Sequence, residues 1–413
     1  MDVEQASIGL DSKIPRFAVL TGLGNNFGSV LFDNFYQYMA IMLGSAGIVQ
    51  GLLTSVKQLG SALLSPVFGY LSDRFGRKSF LFSGNLVLAI IALIIPFSPN
   101  TETVLFLVVF QTLFGVVVVI PSWFGYLGDY TQSETRGTMI GRISSIIGWA
   151  SNFCLLIIAI LMDLQDPTRN SILVLRLPFI IGGIAFLLAA VITLFLPYKP
   201  SVQEVKPFTF NIKELRFPRP FTKFIASDTL FTIAWGAGWP LFPYIMFGLS
   251  NTWLEIGLLT ITTGISFALS QRLGGIISDR IGRKNVIVWS RLGLVASPLL
   301  FYLAVITGQI LWIFLSNALI GSILGGSQIA AQTLILDTAS EEKKASFISI
   351  QTMASGLAAF TGSLIMGFIL QFLTGNTQPT LVLVGTLLCF VAMARFLFWF
   401  SYFRIEDTLM KQP

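Results

Sequence analysis

Twelve apolar runs constrain the fold of this chain more than any other feature of its sequence. A run of about 20 mostly apolar residues is long enough to cross the hydrocarbon core of a bilayer as a helix. The runs, called spans 1 to 12 below, have the approximate limits 16–42, 46–71, 79–98, 104–127, 138–162, 173–196, 221–247, 252–277, 285–306, 309–336, 345–373 and 379–403. The sequence therefore predicts an all-α membrane protein with twelve transmembrane helices.

The composition agrees with a chain that lies mostly in lipid. Hydrophobic residues make up 54% of it and charged residues 11%, and its mean hydropathy is +0.78. Soluble domains carry about 25% charged residues, so this chain has too few charges to cover a water-exposed surface. Its net charge of +6 comes from basic residues in short loops, which indicates no nucleic-acid partner.

Metal and cofactor chemistry is not expected. Histidine is absent from the sequence, which excludes His-based metal sites and catalytic triads. Cys154 and Cys389 both lie inside apolar runs, so we expect neither a disulfide framework nor a metal cluster. The phosphate-loop pattern G-x-x-x-x-G-K-[ST] is also missing, which argues against ATP as the energy source.

A ten-residue motif occurs once in each half of the chain. Gly69–Lys78 reads G-Y-L-S-D-R-F-G-R-K and returns 206 positions later at Gly275–Lys284 as G-I-I-S-D-R-I-G-R-K. Seven of the ten residues are identical, and the offset is half of the 413 residues, so the chain resembles two copies of one unit. Each copy is expected on a short charged loop between two spans, and Gly69 is expected to end span 2, where its lack of a side chain lets a neighbouring helix pack closely.

A second repeated pattern supports the duplication. Leu127–Gly137 and Leu336–Ala345 both place an Asp at the end of a span, an acid a few residues later and a base at the start of the next span. We therefore predict two pseudo-symmetric halves of six spans each, 1–196 and 221–413, joined by a proline-rich cytoplasmic linker at 197–220.

Basic residues set the expected orientation. Lys and Arg concentrate in the loops after even-numbered spans and near both termini, whereas the opposite loops hold almost none besides Arg169. The positive-inside rule then places both termini and both motif copies in the cytoplasm. The expected location is the plasma (cell inner) membrane.

The twelve spans, with G-x-x-x-D-R-x-G-R-K between spans 2 and 3 and again between spans 8 and 9, resemble the major facilitator superfamily of secondary transporters. The resemblance implies two six-helix bundles around a cavity that opens alternately to either side of the membrane. Spans 1, 4, 7 and 10 usually line that cavity. It also implies that the protein is a transporter of a small organic solute and not an enzyme. A further implication is that the protein is a monomer.

The resemblance assigns gating roles to the motif residues. Asp73, Arg77 and Asp129 would form a charge cluster that latches against the start of span 11 while the cytoplasmic side is closed and breaks when that side opens. A mirror cluster in the second half would latch against span 5. The full gating set is Gly69, Asp73, Arg74, Gly76, Arg77, Lys78, Asp129, Arg136, Gly275, Asp279, Arg280, Gly282, Arg283, Lys284 and Asp337.

Two charges inside the first spans are the strongest candidates for coupling. Asp33 in span 1 and Lys57 in span 2 lie at similar depth if the two helices are adjacent and antiparallel. An ionisable residue inside a span is a functional hypothesis by default: Asp33 takes a proton and releases Lys57. The alternatives are a structural salt bridge, or a Lys57 that reaches the membrane surface.

Span 7 offers a second candidate and a predicted bend. Asp228, Trp235 and Trp239 share one face, and Pro240 and Pro243 should bend the helix after them. Asp228 is either a second coupling residue or an interfacial one. Arg142, Arg272 and Arg291 are interpreted as cytoplasmic anchors, and Arg395 as a side chain reaching the membrane surface. The predicted substrate-cavity residues are Asn26, Gln37, Gln111, Trp123, Trp235, Trp239, Gln328 and Gln332.

Two departures from family patterns bear on the direction of transport. Drug–proton antiporters often carry an Arg in span 4 where this chain has Gln111, and a proline in span 5 where Gly148–Phe153 reads G-W-A-S-N-F. We therefore rank metabolite–proton symport first, multidrug or solute–proton antiport second and a facilitator third. A receptor that resembles a transporter but moves nothing is the alternative from another class.

Overall fold

A computed structural model describes residues 16–130, 136–197, 217–338, 344–375 and 377–406. Within these ranges the side chains of 129, 136–141, 272, 275, 279 and 344–346 are not described. The described residues form helices and no strands, which confirms the predicted all-α membrane fold. The predicted linker 197–220 lies mostly outside them, and the helix of span 7 begins at Arg219.

The first six spans contain both unbroken and composite helices. Spans 1, 2 and 5 are single helices, whereas spans 3, 4 and 6 join shorter pieces. Their bounds are Arg16–Met42 for span 1, Gly47–Phe75 for span 2, Arg77–Ile94 and the short Ile95–Phe97 for span 3, Thr101–Gln111, a π-helical turn Thr112–Val116 and Val117–Asp129 for span 4, Arg136–Gln165 for span 5, and Ile172–Leu175 and Leu177–Thr193 for span 6.

The last six spans also comprise single and interrupted helices, but in a different order. Spans 8, 10 and 11 are single helices, whereas spans 7, 9 and 12 are interrupted. Their bounds are Arg219–Ala237 and Phe242–Leu249 for span 7, Trp253–Ile281 for span 8, Arg283–Gly293 and Ala296–Thr307 for span 9, Leu311–Thr338 for span 10, Lys344–Thr374 for span 11, and Leu381–Trp399 with Phe400–Arg404 for span 12.

Length and composition separate the spans into two groups. In the described part of the chain, ten helical segments, those of spans 3 to 12, are long and apolar enough to cross a membrane. Spans 1 and 2 have 27 and 29 residues, so length is sufficient there, but they carry Asp33 and Lys57 and are more polar. The two spans that are least suited to lipid are thus the two that hold the central charges.

The predicted bend in span 7 is confirmed as a complete break. The first helix of this span ends at Ala237 and the second begins at Phe242. Pro240 and Pro243 lack the backbone N–H that a continuous helix needs. The backbone carbonyls freed by this break find another partner, as described below.

The repeated motif is not a loop, and the prediction was wrong on this point. The helix of span 2 runs through Gly69 to Phe75, and span 3 begins at Arg77, so only one residue separates them. Gly76 makes the reversal with a φ of 102°, and Gly282 does so in the second copy with a φ of 92°. Such angles favour glycine, which explains the second Gly of each motif. A Cβ on Gly69 would meet Pro121 at 3.5 Å, an ordinary contact, so the structure shows no close approach there.

The two bundles meet along spans 2 and 11 and along spans 5 and 8. We call the side with the two motif copies the inner side and the opposite side the outer side. Between spans 2 and 11 the contacts run from Gly47, beside Leu370 at the outer end, to Ala62, beside Gly356. A Cβ on Gly51 would lie 2.8 Å from the Cα of Gly367, so glycine allows the backbones to touch.

Apolar side chains near the inner ends of these spans are exposed. Below Ala62 in span 2, Val67 is 41% exposed and Phe75 is 62% exposed. In span 5, Ile146 and Trp149 are also more than half exposed, at 55% and 51%. In the described residues, the glycine contacts that join span 2 to span 11 therefore lie toward the outer side, from Gly47 to Ala62.

We expect a methyl group at Gly362 to destabilise the second bundle. An added Cβ would lie 1.9 Å from the backbone oxygen of Ile233, so spans 7 and 11 have to move apart. Overpacking of this kind costs about 1–3 kcal/mol. Thermal unfolding of purified Gly362→Ala should show the loss. The matched control is Gly148→Ala, where nothing lies within 4 Å and helix propensity favours Ala. Equal transition temperatures for the two variants would contradict this packing.

Candidate functional site

Three cavities in the described part of the chain hold candidate site residues: one lies within each bundle and one lies where the bundles meet. The first, the N cavity, has a volume of about 290 Å³ and is bounded by spans 1, 3, 4, 5 and 6. The second, the central cavity, has about 320 Å³ between spans 1, 2 and 7. The third, the C cavity, has about 290 Å³ between spans 8, 9, 10 and 11. Asp33 lines both the N cavity and the central cavity, so it lies where the two meet.

Asp33 and Lys57 form an ion pair, as their depth in the sequence predicts. The Lys57 Nζ donates to the Asp33 Oδ1. The two side chains differ in environment: Lys57 is 15% exposed, whereas Asp33 is 53% exposed. The ammonium also lies 4.8 Å from the ring centroid of Tyr36 and 5.6 Å from that of Phe32, which stabilises a cation. A proton can thus reach the carboxylate from the cavity, while the lysine stays largely shielded.

Polar residues of span 1 continue the site on either side of Asp33. Asn26 lines the N cavity. Gln37 lines the central cavity, and its Nε2 donates to the Tyr36 hydroxyl at 3.3 Å. Because these residues are seven before and four after Asp33, one helix face presents all three to the cavities.

Span 4 contributes Gln111 and Trp123 to the N cavity. Gln111 is 2% exposed, and its Oε1 has no hydrogen-bond partner among the described residues. The α-helix ends at this residue and a π-helical turn follows. π-Bulges are frequent at functional sites, and an unsatisfied amide oxygen in a cavity wall can accept a hydrogen bond from a solute.

Asp228 is buried rather than interfacial. It is 3% exposed, and its Oδ1 accepts hydrogen bonds from Arg291 Nη2 and from the Tyr402 hydroxyl, both at 2.9 Å. Its Oδ2 accepts from the Ser355 hydroxyl at 3.2 Å. The interpretation of Arg291 as a cytoplasmic anchor was wrong, because it lies inside the second bundle as the counter-charge of Asp228. Arg142 is exposed, and the side chain of Arg272 is outside the described set.

The Asp228 cluster borders the C cavity. Arg291 and Gln351 line this cavity, and Gln351 donates to Ser355 at 3.0 Å, which in turn donates to Asp228. The predicted cavity residues Gln328 and Gln332 lie on the facing wall, in span 10. The C cavity therefore combines amide groups with one compensated arginine.

The two tryptophans of span 7 have different surroundings. Trp239 lines the central cavity, as the sequence predicts. Trp235 is not among the lining residues of the three cavities; its ring centroid lies 4.4 Å from the guanidinium carbon of Arg395. We therefore assign Trp235 to packing within the second bundle.

Arg395 is fully buried, and the expectation that it reaches the membrane surface was wrong. It is 0% exposed and donates to the backbone oxygens of Ala234 at 3.4 Å, Trp235 at 3.3 Å and Leu294 at 3.0 Å. It also donates to the Ser297 hydroxyl at 2.9 Å. These carbonyls lie where the first helices of spans 7 and 9 end, and helix C-termini favour a cation. Arg395 thus compensates both helix breaks without a carboxylate.

The first motif copy is tied to its own bundle. Arg77 Nε donates to Asp73 at 2.8 Å, and its Nη1 donates to the backbone oxygen of Gly125 in span 4. Lys78 donates to the carbonyls of Leu194 at 2.7 Å and Leu196 at 2.8 Å, at the end of span 6. Arg74 is exposed on the inner side. The side chains of Asp129, of Arg136 and of residues 344–346 at the start of span 11 are not among those described.

The second copy shows the same pattern. Arg283 pairs with Asp337 of span 10, and Lys284 donates to the backbone oxygen of Phe403 at 3.1 Å, at the end of span 12. Arg280 is exposed. The surroundings of Gly275 and the side chain of Asp279 are not described. In both halves the last lysine of the motif therefore lies against the C-terminus of the last span, where a cation is favoured.

We expect the two paired acids, Asp33 and Asp228, to differ in their contribution to stability. Asp228→Asn leaves Arg291 without its counter-charge in a site where both side chains are at most 14% exposed. Breaking such a pair costs about 3–5 kcal/mol. Asp33→Asn should cost about 1 kcal/mol or less, because the carboxylate is half in water.

Chemical denaturation in mixed micelles measures both losses. The double variant Asp228→Asn with Arg291→Gln serves as the control and should recover most of the stability, because no isolated charge remains. Equal losses for Asp33→Asn and Asp228→Asn would contradict the assignment of the second pair as structural.

Comparison with known proteins places this arrangement among transporters. The sequence matches the profile of the Major Facilitator Superfamily over residues 18–238 and 224–413. Multidrug resistance protein 2 of Bacillus subtilis is 24% identical over 302 residues, covering 69% of this chain and 70% of that protein. The multidrug resistance protein MdtG of Salmonella dublin is 24% identical over 366 residues, covering 84% of this chain and 87% of the relative.

Solved structures share the fold. A variant of the nucleoside transporter NupG superposes with a TM-score of 0.78 at 13% identity, covering 94% of this chain and 98% of that one. The D-xylose–proton symporter superposes with a TM-score of 0.67 at 17% identity, covering 95% and 97%. At these identities the likeness concerns the fold alone.

Proposed function

The chain belongs to the Major Facilitator Superfamily, and we propose that this multi-pass membrane transporter moves a small organic solute by proton-coupled alternating access. The observation that carries the proposal is the Asp33–Lys57 pair, which lies inside spans 1 and 2, borders two cavities and has its carboxylate half exposed. We further propose that the protein is a monomer in the plasma membrane with both termini in the cytoplasm.

The proposed coupling step is a proton transfer to Asp33. A protonated Asp33 loses its charge, so Lys57 loses its ion-pair partner and is released toward the central cavity. Even a loss of about 1 kcal/mol for this contact shifts the equilibrium between two arrangements of the bundles about fivefold. Proton binding and the opening of one side are linked because the Asp33–Lys57 ion pair exists only while Asp33 is ionised.

The lining of the N cavity suits an amphiphilic solute. Phe32, Trp123 and Phe124 supply aromatic surface, while Asn26 and Gln111 supply amide groups. Ligand sites of transported organic molecules combine an apolar wall with a few placed polar groups in this way. A solute that carries a positive charge competes with a proton for Asp33.

Exchange of such a solute against protons is the direction favoured by two observations. The named relatives are multidrug resistance proteins, and the cavity is rich in aromatic side chains. Metabolite–proton symport, which the replaced span-4 arginine at Gln111 favours, is the alternative direction. The sign of proton movement separates the two.

Proteoliposomes with an internal pH-sensitive dye test the proposal. Pools of sugars, organic acids, amino acids and cationic amphiphiles are added, and we expect one pool to trigger proton movement in the wild type. Asp33→Asn should abolish this signal but retain solute exchange across the membrane, because the amide fills the same space without titrating.

Two variants serve as controls. Glu102→Gln removes an exposed acid in the first turn of span 4 and should leave the signal unchanged, and Asp228→Asn tests the second coupling candidate. An unchanged signal in Asp33→Asn would reduce the Asp33–Lys57 pair to a structural salt bridge. Solute equilibration without proton movement in the wild type would indicate a facilitator, and binding without any movement would indicate a receptor.

A further inference from the structure

Arg169 is an exception to the charge pattern of this chain and has no role in the coupling step. It is the basic residue that stands out in the outer loops, and it follows two acids in the segment Asp163–Arg169, which reads D-L-Q-D-P-T-R. This segment joins spans 5 and 6 on the outer side, where the two bundles touch. All three of its charged side chains are engaged in the structure.

Asp163 binds the second bundle directly. Its Oδ1 accepts from the backbone N–H of Trp253 at 2.5 Å, and its Oδ2 accepts from that of Leu254 at 3.1 Å. These are the first two N–H groups of span 8, which have no partner within their own helix. Thr252 caps the next one, that of Glu255, at 3.1 Å. A carboxylate from the first bundle thus completes the N-terminus of a helix in the second, where negative charge is favoured.

Arg169 makes the complementary contact one turn away. Its Nη1 donates to the backbone oxygen of Phe247 at 2.9 Å, and its guanidinium carbon lies 4.9 Å from the ring centroid of the same residue. Phe247 is in the last turn of the helix Phe242–Leu249, where a cation is favoured. The acid and the base of one segment therefore each contact the helix end of matching polarity, on either side of the turn between spans 7 and 8.

Asp166 holds the segment in this geometry. It accepts from the backbone N–H of Ser171 at 2.8 Å and from the Thr168 hydroxyl at 3.1 Å. Burial raises the pKa of Asp166, but these hydrogen bonds outweigh burial and bring the pKa below its ordinary value. Arg169 itself has a positive φ of 54°, which is uncommon for a residue with a side chain. Arg169 adopts this left-handed backbone conformation at the point where its side chain contacts Phe247 of the second bundle.

We propose that Asp163 and Arg169 form an outer latch, which holds the outer side of the transporter closed and has to release before that side opens. The latch rests on the proposed alternating access, but it concerns the gate and not the coupling site. Both contacts cross between bundles, and both target the ends of helices that move with the second bundle.

The latch also accounts for the polarity of its partners. Each latch contact joins one charged side chain to a backbone group at a helix end, so the latch differs from the ion pair at Asp33, in which both partners are charged side chains. The outer side is then held by fixed dipoles, and the driving force for its release comes from the cavity. A solute or a proton that rearranges spans 1 and 7 acts on Phe247 through Tyr38, whose ring lies 5.7 Å from it.

Distance measurements between spin labels test the latch without any substrate. Native Cys154 and Cys389 are first replaced by Ser. One pair of labels reports the outer side, at Leu173→Cys and Val382→Cys, which are 65% and 68% exposed. A second pair reports the inner side, at Phe195→Cys and Phe403→Cys, which are 63% and 51% exposed.

In Asp163→Asn we expect the population with a long outer distance to rise about fivefold, the effect of losing one charge at a helix end. The inner pair should gain a short-distance population to the same extent, because the sides open alternately. Arg169→Gln should act in the same direction, and Arg169→Lys should restore much of the wild-type distribution. Glu102→Gln, which removes an exposed acid on the same side, is the control and should change neither pair.

Two results would overturn the latch. One is an outer distance that stays the same in both Asp163→Asn and Arg169→Gln. The other is a longer outer distance with an unchanged inner distance, which indicates local loosening instead of a gate. Either result leaves the proton assay of Asp33 intact, so a failed latch and a failed coupling site give different outcomes.

Discussion

A charge inside a membrane-spanning bundle needs compensation, and the rest of this structure depends on how that compensation is arranged. Hydrocarbon offers no water to solvate an ion, so an isolated charge there is costly. Asp33 and Asp228 each have a basic partner, in Lys57 and Arg291. Arg395 instead has the carbonyls of two broken helices. The first pair differs from the other two sites because its acid faces a water-accessible cavity.

Exposure to a cavity separates the charges that stabilise the fold from the charge pair that is proposed to take part in transport. The pair of Asp228 and Arg291 is enclosed by Tyr402 and Ser355 and stabilises the second bundle. Arg395 fixes the geometry of the breaks in spans 7 and 9, beside the central cavity. The Asp33 carboxylate is 53% exposed, so a proton from the cavity can reach it. Protonation of Asp33 is therefore the step that we propose for coupling. The same principle, opposite charge at a helix end, recurs in the motif lysines on the inner side and in the latch on the outer side.

The sequence predicted much of this architecture, and the misses have physical reasons. The twelve spans, the two halves and the Asp33–Lys57 contact follow from hydrophobic length, repetition and helix depth, which are local properties. The partner of Asp228 could not be predicted in this way. Arg291 is 63 positions away, and spans 7 and 9 become neighbours only through tertiary packing. Arg395 was misassigned because its compensation comes from backbone carbonyls, which leave no pattern in side-chain identity.

The motif geometry was the other miss. A charged decapeptide between apolar runs suggested a loop, but the helices continue to within one residue of each other on either side of Gly76. Glycine alone makes that reversal possible, and the Asp73–Arg77 pair bridges it. The roles of the cavity and gating residues stay predictions.

Infrared difference spectroscopy of the purified transporter tests the central claim most directly. A step from neutral to mildly acidic pH reports any carboxylate that gains a proton, through the appearance of its protonated carbonyl band. The account predicts such a band in the wild type and its loss in Asp33→Asn, with Asp228→Asn retaining it. A band that persists unchanged in Asp33→Asn would contradict the assignment of Asp33 as the proton acceptor.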